Sequence, residues 1–238
     1  MKRLLKSGRG LSISAMFALT MLACSVTMAQ QPANDPQINE VRAALRSADY
    51  QHALSKVNSI LAKRPNDVSA LCLKGEIQTQ MNNVSAALES FEKAIKVKKT
   101  SIWASVGKAN ALGRLKKEDE SSTLMRQAIS IKPSSAADLL SRGIAFYNLG
   151  DDEKAQADYD EALKLDPSFA EAYLNKGIIA STKRDPAEAI TLFTTAIKLD
   201  PNYADAFAKR GAAYSKKAIL NLQLPTIPRP YRSTLTIQ

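Results

Sequence analysis

Several marker residues recur along this chain at one fixed spacing of 34 residues. Gly143, Gly177 and Gly211 are each 34 apart, and so are Pro133, Pro167 and Pro201. Between them Ala155-x3-Tyr159-x2-Ala162 recurs as Ala189-x3-Phe193-x2-Ala196. A fixed period of this length requires stacked supersecondary units, each burying its apolar face on the next. Such an array needs no single large core. The composition agrees: 45% hydrophobic and 24% charged residues in 238 suit a folded chain and exclude disorder.

The pattern resembles the tetratricopeptide repeat, a helix–turn–helix unit marked W-x2-L-G-x2-Y, then A-x3-F, then P. Leu139-x2-Arg142-Gly143-x2-Phe146 and Phe207-x2-Arg210-Gly211-x2-Tyr214 carry the first part here. The resemblance implies an all-α fold, a right-handed α-solenoid of stacked helix–turn–helix repeats. Counting from the closing prolines places repeats at 34–67, 68–101, 102–135, 136–169 and 170–203, with a half repeat at 204–217. Repeat one has no glycine in its first helix, expected over Asn39 to Ala48. Repeat two keeps Gly75 and Ala87-x3-Phe91-x2-Ala94, with Lys99 in place of the proline. In repeat three Trp103-x2-Val106-Gly107 arrives two residues early, which predicts a distorted pair or an enlarged turn through Gly113 to Asp119. Gly150-Asp151 and Asp185-Pro186 read as a left-handed glycine with an N-cap, and an N-cap with proline at the first helical position.

The two ends differ from the array. Basic Met1 to Gly10 precedes an uncharged apolar run, Leu11 to Ala29, and then polar Gln30-Gln31-Pro32. This is the layout of a secretory signal peptide over 1–29, with cleavage expected after Ala29 and a linker at 30–35. An uncleaved anchor through 11–29, or a lipid on Cys24, is the alternative and the only route to the membrane. Cleavage would leave Cys72 without a partner for an internal disulfide. Export to the bacterial periplasm is the expected location. At the other end, 218–238 holds Pro225, Pro228 and Pro230 and no acid, so it is expected to be an irregular tail. Its codons, read from the last base of each, permit Gly-Asn-Leu-Glu-Leu-Ala-Ile-Ala-Asp-Tyr-Thr-Gln-Ala-Ile-Gln-Ile-Asp-Pro-Asn-Asp. That spells a second repeat helix in register, which makes the tail a candidate frameshift product and the chain a candidate remnant without present function.

No catalytic constellation is present in the sequence. The sole histidine, His52, leaves Ser–His–Asp and His-based metal sites without parts. Asp151-Asp152-Glu153 suits a helix start, where acids complement the dipole, and lacks a calcium loop. Gly107 and Gly113 have no Gly-Lys-Ser/Thr run beside them and form no phosphate loop. Lys93, Lys96, Lys98 and Lys99 read as a solvated helix end. The formal charge is +10, and +6 without Lys2, Arg3, Lys6 and Arg9. That excess is mild, and no basic–aromatic surface motif accompanies it, so nucleic acid is not expected as a partner. The reading is therefore no enzyme, no cofactor and no metal.

The family resemblance implies a protein or peptide partner, held in a concave groove lined by the first helices. Carried over position by position, Cys72, Glu76, Leu140, Ile144, Tyr147, Glu171, Leu174, Ile178, Asp205 and Ala212 are expected to line it. Leu140 and Ile144 stand where a carboxylate clamp needs Lys and Asn, and Asn175 with Lys209 does not rebuild one. The function implied is an interaction scaffold, with an accessory subunit of an exported enzyme or assembly complex as a further alternative. Sequencing the gene across codons 205–238 in an independent isolate tests the tail: codons that forbid the shifted reading make it native.

Overall fold

A computed structural model describes residues 35–223. The expected leader at 1–29, Cys24 and the prolines of the tail lie outside the described residues. Residues 37–223 belong to one compact unit. Among the described residues there are eleven helices and no strand. They are α1 (Pro36–Arg46), α2 (Tyr50–Lys63), α3 (Val68–Gln80), α4 (Val84–Val97), α5 (Ile102–Arg114) and α6 (Glu118–Ile129). They continue with α7 (Ala136–Asn148), α8 (Asp152–Leu165), α9 (Ala170–Thr182), α10 (Pro186–Leu199) and α11 (Ala204–Gln223). The protein is an all-α helical repeat solenoid. The second helices begin at 50, 84, 118, 152 and 186, in steps of 34.

The turn inside each repeat is the same object five times. Ala48, Asn82, Lys116, Gly150 and Arg184 all have positive φ, between 60° and 85°. Each is followed by a residue whose N–H donates back to a carbonyl five positions earlier: Asp49 to Ala44, Asn83 to Gln78, Lys117 to Leu112, Asp151 to Phe146 and Asp185 to Ala180, at 2.8–3.1 Å. This is the Schellman closure, which satisfies helix-end carbonyls through one left-handed residue. Only Gly150 is free of a Cβ there. Asp49, Asp151 and Asp185 then cap the next helix, each accepting from a backbone N–H three residues on.

Core packing is a matched small–large pair within each repeat. A Cβ on Gly75 would lie 2.6 Å from the Phe91 ring, on Gly143 2.4 Å from Tyr159, and on Gly177 2.5 Å from Phe193. In repeat three the same register holds Ala109 and Met125, both buried. Adding a methyl to the small partner is offset there by a thinner, more flexible large one. Ser121 takes the place of the flanking alanine, and its hydroxyl donates to the Ala109 carbonyl at 2.8 Å. Gly107 has a separate purpose. A Cβ there would come 2.3 Å from Phe91, so the ring is clasped by glycines of two successive first helices.

Three expectations are corrected. α1 starts at Pro36 rather than Asn39, because proline is pre-organised for the first helical position. Repeat three has an ordinary three-residue turn; its extra length lies instead after α6, which ends early at Ile129 and leaves 130–135 as the link to α7. Finally, α11 does not stop at Lys217 but runs to Gln223. Ala218 and Ile219 occupy the register of the left-handed residue and the aspartate cap, and neither residue type breaks a helix.

Gly177→Ala should lower stability by about 1–3 kcal/mol through overpacking against Phe193. In a Phe193→Met background the same change should cost far less, as Ala109 beside Met125 shows. Thermal melts of the four variants decide this; equal costs in both backgrounds would refute the pairing.

Candidate interaction groove

The first helices of the repeats line one continuous cavity of about 830 Å³. α1 contributes Arg42, Leu45 and Arg46; α3 contributes Glu76 and Gln80; α5 contributes Trp103, Val106, Asn110 and Arg114. Leu140, Ile144, Tyr147 and Asn148 of α7, Glu171 and Asn175 of α9, and Asp205 of α11 complete the wall with Tyr203. The lining follows from the repeat: positions 34 apart on equivalent helices face the same way. Glu76, Asn110 and Ile144 form one such row, and Trp103, Glu171 and Asp205 belong to another.

The polar groups in the groove are held by one another. Trp103 Nε1 donates to Glu76 Oε1, and the Arg42 guanidinium lies 5.6 Å from the Trp103 ring centroid. Burial, and secondarily the Glu171 carboxylate, raises the Glu76 carboxyl to about 7, while the Trp103 hydrogen bond and Arg42 oppose the shift. Asn148 Nδ2 donates to Asn110 Oδ1 at 2.9 Å. Arg114 donates to the Thr79 carbonyl at 3.0 Å. One contact spans the array. Arg46, in repeat one, pairs with Glu171 of repeat five at 3.0 Å and with Asp200 at 2.7 Å, and its guanidinium lies 6.0 Å from the Tyr203 ring centroid. Repeat one is therefore tied directly to repeat five, 125 positions away in the chain.

Sequence models of the tetratricopeptide repeat match residues 68–101 and 140–204. The chain belongs to the tetratricopeptide repeat family. A solved tetratricopeptide repeat protein of Thermus thermophilus is similar over 75% of this chain and 97% of its own, at 19% identity and a TM-score of 0.55. A tetratricopeptide repeat protein from Parabacteroides merdae is similar over 84% of this chain and 78% of its own, at 20% identity and a TM-score of 0.52. No curated protein matches the chain. Both likenesses are likenesses of fold.

Within this repeat array six of the ten residues expected in the groove line it: Glu76, Leu140, Ile144, Tyr147, Glu171 and Asp205. Cys72 and Leu174 do not; they are 0% and 5% exposed, in the core between helices. Their positions turn toward the neighbouring helix, whereas Val106 and Leu140, at the same register, reach the cavity. Burial pushes the Cys72 thiol well above its ordinary value, which makes it unreactive. Ile178 packs partly buried against the core of the last repeats, and Ala212 is exposed away from the cavity. His52 is exposed, and Asp151 serves as an N-cap.

Sequence reasoning missed Arg42, Arg46, Trp103, Asn110 and Tyr203. The period alone could have found Asn110, since it stands 34 residues from both Glu76 and Ile144. Placing repeat three two residues out of register hid it. Arg46 and Tyr203 carried no local signal.

Glu76 also makes stability depend on pH. Its folded carboxyl titrates near 7 against an ordinary 4.5, so between these values the folded state holds more protons than the unfolded. Stability contributed by this group is full below about 4.5 and is lost as pH rises through about 7. Glu76→Gln should therefore stabilise the protein at pH 8, by on the order of 2 kcal/mol, and have little effect at pH 4. Urea unfolding at the two pH values checks this; parallel pH profiles of parent and variant would contradict it.

Proposed function

We propose that the protein is an interaction scaffold that holds a peptide or helical segment of a partner protein in this groove. The observation that carries the reading is the cavity itself, a row of first-helix side chains with the aromatic residues Trp103 and Tyr147 along it. Aromatic side chains bury a large area at low entropic cost and dominate recognition surfaces. Leu140 and Ile144 give the wall an apolar strip suited to alternate side chains of an extended or helical segment. The polar groups beside them already have partners, so docking need not strand a buried charge. The mechanism is reversible docking without chemistry.

The basic, apolar and small-residue order of 1–29 supports action outside the cytoplasm, in the periplasm, after the leader is removed. Among the described residues no helix is long and apolar enough to cross a membrane.

The double variant Ile144→Glu, Tyr147→Glu should keep the helical circular-dichroism spectrum of the parent and lose the partner that the parent retains. Tagged parent and variant, recovered after crosslinking in the source cells, provide the comparison. Recovery of the same proteins at the same yield by both would overturn the groove as the docking site.

A further inference from the structure

The first helix of the sixth unit, α11, presents a face that every earlier first helix has covered. Gly75, Gly143 and Gly177 each receive an aromatic ring from the second helix of their own repeat. Gly211, at the same register, has nothing within 4 Å of where a Cβ would stand. Phe207 is 43% and Tyr214 55% exposed. Among their register equivalents Leu71, Leu139, Leu112 and Ala180 are below 8%, and Tyr173 and Phe146 are half-buried. The side chains that should be packed against a second helix are present on α11, and that helix is absent among the described residues.

The charge on this face says what kind of helix fits. In repeat four Arg142 holds Asp158 through two hydrogen bonds, at 2.7 and 2.6 Å. Asp158 directly precedes the ring residue Tyr159. Arg210 is the register equivalent of Arg142. Its hydrogen bond is a 3.5 Å contact to the Thr194 hydroxyl, and it lies over the Phe207 ring at 5.2 Å. Lys217 follows it by two helical turns, whereas Lys209 stands in the register that lines the groove and Lys216 Nζ donates to the Ser181 carbonyl. A second copy of this chain would set two such basic faces against each other, and its own second helices are already buried in their pairs.

We propose that α11 is an acceptor for a helix supplied by another protein, an acidic amphipathic helix of pattern small-x2-acid-aromatic-x2-small. Its aromatic ring enters the space over Gly211, its small residues let the helices approach, and its acid pairs with Arg210. This surface is separate from the groove, whose lining includes Ala204, Asp205 and Ala208 of α11 but not Phe207, Gly211 or Tyr214. The repeat-to-repeat stack continues into it without a break, because α11 packs on α10 as each earlier first helix packs on the repeat before it.

The probe is a synthetic peptide of residues 150–167, which contains Ala155, Asp158, Tyr159 and Ala162 in the required order. It is titrated into the full chain. Alone it should be largely unfolded, as short helices are in water. Binding should appear as a saturable 1:1 gain in helical circular dichroism that weakens with added salt. Gly211→Leu fills open space and leaves the fold intact, and should weaken binding about tenfold or more, as should Tyr159→Ala in the peptide. Arg210→Glu should weaken it as well. No saturable signal, or equal binding by parent and Gly211→Leu, overturns the proposal. So does a concentration-dependent dimer of the parent that Gly211→Leu abolishes, since the face would then belong to a second copy.

Discussion

The contact between a small residue on one helix and a large ring on the next is what the rest of this structure depends on. Gly75 against Phe91, Gly143 against Tyr159 and Gly177 against Phe193 bring the two helices of a pair close enough for the ring to fill the space between them. Close packing of this kind tolerates neither a void nor an extra methyl, so the two partners must change together. Ala109 with Met125 is such a joint change, and Val41 with Val57 in repeat one is another, both fully or nearly buried. The pair fixes the geometry of each unit, and the units in turn fix which side chains reach the groove.

A second constraint acts on the turns. All five close through one left-handed residue, although only one of the five is glycine. Ala48, Lys116 and Arg184 accept a conformation that opposes their own Cβ, because the Schellman hydrogen bonds and the packed helices on both sides leave no alternative. The sixth turn shows what happens without that support. Ala218 and Ile219 bring neither a left-handed residue nor an aspartate cap, and α11 continues straight to Gln223. Among the described residues its Gly211 face stays uncovered.

Electrostatics organise the surface between units along the same period, and the exception explains itself. Lys108 pairs with Glu92 and Lys176 with Asp160, each reaching back to the preceding second helix. At the matching position Arg142 would meet Arg126, a like charge. It turns inward instead and holds Asp158 of its own repeat.

The sequence by itself determined the repeat, the all-α class, the helix pairs and the caps at Asp151 and Asp185, because each rests on contacts within one or two adjacent helices and therefore recurs every 34 residues. The family resemblance, carried over position by position, added six residues that line the cavity. The tertiary structure alone decided the rest. Val106 lines the cavity and Cys72, at the same register, does not, although both are buried, and the residue types do not reveal the difference. The meeting of Arg46 with Glu171, 125 positions apart, depends on the rotation accumulated over every unit between them. No local pattern encodes that sum; it exists only once the helices are stacked.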